Sequence, residues 1–390
     1  MRRAFMITAA AAVLATCGVL GMAPPAVQAS SAGTLYAGYT VIKSSNPLHI
    51  SGAIVPVNTA TNRAGQPIRM SGGVGDIAFT PDGKTAYVAS SGINDLPGKV
   101  TPISTATNTP GRPIRFQGAA SGVAITPNGR TAYVSTADKI VPISTATNTA
   151  GKPIHINGGE DVTGFTPDGK TAYVLAGSSR SRIIPVHTAT NTAGKPIRVC
   201  RAGSLDFARL SAITPDGKTV YVGCYDNTVI PISTATNTAG RPIRVGGTIT
   251  IAFTPDGKTV YVGGAGTVTP ISTATNRAGK PIRTGLPVVE VMAMTPDGKR
   301  LYVTNYEGRP VDTIVPIRTA TNTPGAPIHI GSPADALAIT PDGKTLYAAT
   351  QSGSTRDTVT PISTATNRAG TPINVHRGRV FGGELIAITP

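Results

Sequence analysis

Five acidic residues occupy one place in a recurring phrase. Asp76, Asp161, Glu290, Asp335 and Glu384 each lie five or six residues before the proline of a Thr-Pro pair. Carboxylates brought together at one level of a closed ring would offer convergent oxygens, the ligands that a hard cation such as Ca2+ takes. A cation held there would support hydrolysis of the lactonase type. Without a cation, like charges at such range raise one another's pKa. The same groups could instead cap backbone N–H groups or pair with a cation. Arg209 stands at the equivalent place in another repeat, and Glu160 sits beside Asp161.

A second set is basic and partly aromatic: Lys43, Asn94, Tyr306, Arg309, Arg356, His376, Arg377, Arg379 and Phe381. These residues fall in "VIKSSNPLHI", "GINDLPGK", "NYEGRPVD", "SGSTRD" and "VHRGRVFGGE". Such a set suits an anionic glycan, a teichoic acid or a nucleic acid, or a protein partner. Solvated loops that drifted in length would look the same. Signals for catalysis are sparse. The five histidines show no zinc-motif spacing, and no GxSxG, P-loop or CxxCH is present. Of the three cysteines, Cys17 falls in an apparent leader, which leaves Cys200 and Cys224 as an even pair suited to a disulfide in an exported protein. Two separate buried thiols are the alternative.

The elements that must position these residues are written in the repeats. "TPDGK", or its variant "TPNGR", occurs with Pro81, Pro127, Pro167, Pro215, Pro255, Pro296 and Pro341. "TATN" occurs eight times, ending at Asn62, Asn108, Asn148, Asn191, Asn237, Asn276, Asn322 and Asn367. The period of about 44 residues matches a four-stranded propeller blade. Each period reads as four short β-branched strands, A ("DIAFT"), B ("TAYVA"), C ("VTPIST") and D ("RPIRF"), with no helical periodicity. In "TPDGK" the proline presets φ for a type I turn and the glycine takes the positive φ that closes the hairpin. The proline of strand D suits an outer edge. That of strand C is less comfortable, and its nitrogen is expected beyond the end of its neighbour's ladder.

Counting strands gives the closure. Strand B recurs at Tyr36, Tyr87, Tyr133, Tyr173, Tyr221, Tyr261, Tyr302 and Tyr347; strand A reaches eight only if the terminal "LIAIT" is included. The expected fold is therefore all-β, a propeller of eight four-stranded antiparallel blades. The C-terminal A strand completes the blade begun by the N-terminal B-C-D strands. Seven blades would result if that B-C-D set failed to form.

On these motifs the chain resembles the YVTN-repeat β-propellers, the YncE-like family related to archaeal surface-layer repeats and part of the wider WD40/YVTN-like group. "LYVTN" at Leu301–Asn305 is that signature, and "TPDGKTVYVG" and "ISTATNTAG" are close to the family's "SPDGKTLYVAN" and "IDTATNTV". The resemblance implies a secreted or periplasmic protein that binds or scaffolds. One relative is associated with single-stranded DNA, and propellers of similar shape include lactonases and quinoprotein dehydrogenases. The proline of strand C departs from the family's usual valine.

Loop lengths distinguish the two faces. The Thr-Pro proline lies 6 residues before the strand B tyrosine throughout, and the strand C proline lies 11 before that of strand D. All length variation sits in the B–C and D–A connections, which share the opposite face, and loops on a rigid scaffold are where binding tends to live. The long B–C connections belong to the blades of Tyr302, Tyr347, Tyr36 and Tyr87, contiguous once the ring closes. The formal charge is +16, and the "G-(K/R)-P" and "P-I-R" phrases spread cations along the outer strand. Residues 1–29 read as an export leader, with Arg2 and Arg3, an apolar run and a small-x-small site at "VQA". The expectation is a secreted or envelope-associated monomer. Its single domain spans 30–390, with no membrane span and no cofactor beyond the Ca2+ weighed above. It binds rather than catalyses.

Overall fold

The computed structural model describes residues 33–45, 48–91, 97–156, 159–177, 181–200, 208–305, 312–352, 356–377 and 385–390. Among these, every element is a strand, and the strands form eight separate sheets. Each sheet is one blade of a β-propeller, with A, B, C and D antiparallel in order. Blade 2 serves as the pattern: A is Gly73–Phe79, B Thr85–Ser91 and C Gly98–Ser104, with D split into Thr109–Pro110 and Ile114–Phe116. No helix among the described residues is long and apolar enough to cross a membrane.

Blade 1 joins the two ends of the chain. Its B strand, Thr34–Ser45, pairs with C, Leu48–Asn58, on one edge and with the terminal A strand, Leu385–Ile388, on the other. The register runs from Leu35 opposite Ile388 to Gly38 opposite Leu385. Thr389 N donates to Thr34 O at 3.0 Å, and Thr34 N donates to Thr389 Oγ1 at 3.0 Å. The latter bond copies the one from Thr85 N to Thr80 Oγ1 in the unbroken hairpin of blade 2. Pro390 lies over Gly83 of blade 2 as Pro81 lies over Gly129 of blade 3.

The A–B hairpins follow from their residues. In blade 2, Gly83 N donates to Thr80 O, Thr80 Oγ1 donates to Asp82 Oδ1 at 2.6 Å, and Gly83 takes φ +67°. That φ belongs to glycine at no steric cost. The Thr80 hydroxyl holds the Asp82 carboxyl below its ordinary pKa.

Strand D breaks at its Gly-x-Pro. Gly65 N donates to Pro56 O at 2.7 Å, and the same bond recurs in all eight blades. A Cβ on Gly65 would lie 3.2 Å from the Pro56 ring, so glycine lets the two strands approach. In an antiparallel strand N and O of one residue point the same way. The nitrogen of Pro56 therefore faces the interruption in strand D between Arg63–Ala64 and Ile68–Met70. The strand C proline thus sits opposite a gap within its neighbour rather than beyond its end, and no ladder bond is lost.

The core lies between blades. Leu35, Val55 and Val57 of blade 1 pack with Tyr347, Ala349 and Val359 of blade 8 across the closing seam. All eight strand B tyrosines are among the largest fully buried side chains. Each phenol donates to the Asn Oδ1 of "TATN" in the following blade, from Tyr36 to Asn108 through Tyr302 to Asn367 and on to Tyr347 to Asn62. Those asparagines share a φ of 52–55°, a conformation asparagine tolerates.

Candidate functional site

The described channel-mouth carboxylates, Asp76, Asp161, Glu290 and Asp335, do not gather into one metal-holding cluster. Asp76 is buried; its Oδ1 accepts from Ile77 N at 2.8 Å and its Oδ2 from Val123 N of blade 3 at 2.9 Å. Asp161, half-buried, approaches blade 3 from the other side, where its Oδ1 accepts from Ser135 Oγ at 3.1 Å as well as from Val162 N at 2.9 Å. Gly122 is what makes room, since a Cβ there would collide with the Asp161 carboxylate. Burial pushes the Asp161 carboxyl up to about 6. Two of the five acids thus clamp one acid-free strand A, Gly122–Ile125, between them. Glu290 is half-buried, and Glu384 lies outside the described residues. Among the described residues, no three His, Cys, Asp or Glu side chains come close enough together to hold a metal ion.

Asp335 belongs to a different constellation. It is the bulged residue of blade 8 strand A, Ala334–Ile339, between Ala334 opposite Thr350 and Ala336 opposite Ala349. Behind it, on strand C (Arg356–Ser363), Asp357 is 1% exposed and its Oδ2 has no hydrogen-bond partner. Burial, then the charge of Asp335, pushes the Asp357 carboxyl up to about 6. His376 on strand D stands opposite Asp357 in the register and stacks on Tyr39 of blade 1, with centroids 4.1 Å apart and planes at 24°. Burial lowers the His376 pKa, which favours the neutral ring. The Tyr39 pKa is raised, first by burial. The seam between blades 8 and 1 therefore gathers one channel-mouth acid, one residue of the basic set and two residues, Asp357 and Tyr39, that neither set contained.

Of the other residues in the basic set, Asn94, Tyr306, Arg309, Arg379 and Phe381 lie outside the described residues. Lys43, Arg356 and Arg377 are placed by their backbones alone. Lys43 is the bulged residue of an extended B–C hairpin in blade 1, and Arg356 stands opposite Arg377 in blade 8. In blades 8 and 1 much of the extra B–C length is thus strand rather than loop. Cys200 and Cys224 are joined by a disulfide with Cα atoms 5.6 Å apart, tying the end of blade 4 to strand B of blade 5.

Two populations stand out among the described cations. Lysines of the "DGK" hairpins pair with their own aspartates, for example Lys84 with Asp82 at 3.8 Å and Lys218 with Asp216 at 3.4 Å. These pairs are exposed and contribute little stability. The outer-strand cations Arg69, Arg112, Arg115, Lys195, Arg198, Arg241, Arg244, Lys280 and Arg283 are exposed and make no ion pair with any described carboxylate. The "P-I-R" arginines sit at the variable-face end of strand D. In blades 2 and 4 they stand directly opposite a second cation, Lys99 with Arg115 and Arg182 with Arg198. Like charges in register oppose folding.

No family model matches the chain, and no curated protein sequence matches it. Among solved structures, dihydro-heme d1 dehydrogenase NirN in complex with DHE is similar with a TM-score of 0.70 at 14% identity, over 90% of this chain and 74% of its own. Kuenenia stuttgartiensis hydrazine synthase is similar with a TM-score of 0.55 at 22% identity, over 75% of this chain and 96% of its own. Both likenesses concern the propeller fold alone.

Proposed function

We propose that the protein is an exported binding propeller that performs no chemistry of its own. It engages an anionic polymer or other anionic partner of the cell envelope through the cations of its outer strands. The observation that carries this reading is the partition of charge: acids neutralise the hairpin lysines, while the outer-strand arginines and lysines form no ion pair with a described carboxylate. The leader-like residues 1–29 support export.

The test is a salt titration of binding to poly(glycerol phosphate), single-stranded DNA and an acidic glycan. A polyelectrolyte contact loses affinity steeply with salt, by about 0.7 per neutralised phosphate on a log–log plot for single strands. Failure of all three polymers to bind at low salt ends the reading. Stoichiometric Ca2+ in the native protein, lost in Glu290→Ala or Asp335→Ala, would move it toward a cation-dependent hydrolase.

A further inference from the structure

The outer rim is not uniform. Where the second segment of strand D in one blade meets the first segment of strand D in the next, a groove opens between them. At the seam of blades 5 and 6 that groove is lined by Arg241 and Arg244 from blade 5 and by Arg277 from blade 6, over a floor that includes Pro231 and Gly240. The segments involved, Ile243–Arg244 and Arg277–Ala278, lie side by side. All three arginines are exposed, and none forms an ion pair with a described carboxylate. Asp226 is two residues before Thr228, the cross-strand partner of Arg244. Its Oδ1 accepts from Thr228 N and Thr228 Oγ1.

The repeat supplies this triad once. Arginine follows "TATN" only at Arg63, Arg277 and Arg368. The blade before Arg63 offers Thr371 and Asn374, and the blade before Arg368 offers Ala326 and His329. The blade before Arg277 offers Arg241 and Arg244. At the neighbouring seams Lys195 and Arg198 meet Thr238, and Lys280 and Arg283 meet Thr323.

We infer that this groove is the principal seat for the anion, and that its ligand is a phosphodiester chain of the poly(polyol phosphate) class. The inference rests on the polyanion reading above and deepens it. Three guanidinium forks within one groove match tetrahedral oxyanions, which arginine holds through paired hydrogen bonds. The lining contains no aromatic side chain. Single-stranded nucleic acid draws much of its affinity from bases stacked on aromatic rings, so here it gains only its phosphate contacts. A chain of phosphates on a flexible polyol needs nothing more.

The experiment compares labelled poly(glycerol phosphate) with a single-stranded DNA of equal charge, at fixed salt. It uses three full-length proteins: the native chain, Arg241→Gln/Arg244→Gln/Arg277→Gln, and Arg69→Gln/Arg115→Gln/Arg198→Gln. The two variants lose the same charge, and a melting curve for each establishes that it is folded. The groove variant is expected to bind poly(glycerol phosphate) about 100-fold more weakly, and the dispersed variant less than about fivefold more weakly. The native protein should prefer the polyol phosphate to the DNA. Equal losses in the two variants would overturn the groove while leaving a diffuse polyanion surface standing. A native preference for DNA would overturn the assigned ligand. No binding of either polymer at low salt would overturn both readings.

Discussion

The phenol of Tyr347 donates to Asn62 Oδ1 at 2.6 Å, joining blade 8 to blade 1 across 285 residues of sequence. The bond repeats at every seam of the ring, so closure uses the same latch as any internal junction. Tyr347→Phe is expected to lower stability by about 1 kcal/mol, since it leaves Asn62 Oδ1 without its donor. Tyr221→Phe, at an internal seam, should lose a similar amount by removing the bond to Asn276. Chemical denaturation of the two variants checks this, and a far larger loss at Tyr347 would show that the closing seam is special.

Asp76→Ala separates architecture from binding. It strips the acceptor from Ile77 N and from Val123 N, the second of which lies in the next blade. Leaving buried N–H groups unsatisfied costs about 1–3 kcal/mol each. Stability should fall while affinity for poly(glycerol phosphate) stays at the native value. A loss of affinity without a loss of stability would return Asp76 to the binding machinery.

Asp357 predicts a pH dependence of stability. Its folded pKa is raised from 3.8 to about 6, so between those values the native state holds a proton that the unfolded chain has released. Stability from this group is therefore complete below pH ~4, falls as pH rises toward ~6, and stays at its lowest above that. Asp357→Asn should be more stable than the native protein at pH 7 by on the order of 2 kcal/mol, with the difference closing near pH 4. Asp161, raised in the same direction, leaves part of the slope in the variant. Denaturant melts across pH 4 to 8 give the comparison, and two parallel curves would refute it.

Reducing the Cys200–Cys224 bond frees a span of 24 residues. Loss of that constraint on the unfolded chain should lower stability by roughly 3 kcal/mol. Melting with and without reductant measures it, and unchanged melting would place the disulfide outside the cooperative unit.

Much of this architecture was legible because its punctuation is chemical. Thr-Pro-Asp-Gly fixes a turn type, and eight tyrosines with one Thr-Pro too few before them imply a shared blade; Leu35 opposite Ile388 is that blade's register. The Tyr–Asn latch went unread, although the two residues recur eight times in step, which was the available signal. The break in strand D was hidden because Gly-x-Pro reads equally as an edge strand, and only the bond from Gly65 to Pro56 shows the interruption. Asp357 could not be singled out. An aspartate opening a strand reads as exposed, and what buries it is a seam where His376 meets Tyr39, over 300 positions apart in sequence. The two channel-mouth acids turned inward for a similar reason: whether Asp76 finds a cation or an amide depends on the neighbouring blade, where Val123 N was waiting.

The inner strand of blade 1 comes from the far end of the polypeptide. Until Leu385–Ile388 have been synthesised, Thr34–Ser45 presents a bare hydrogen-bonding edge, and the nascent molecule is an open spiral with one sticky margin. Sealing of the ring thus waits for a strand made long after its partner.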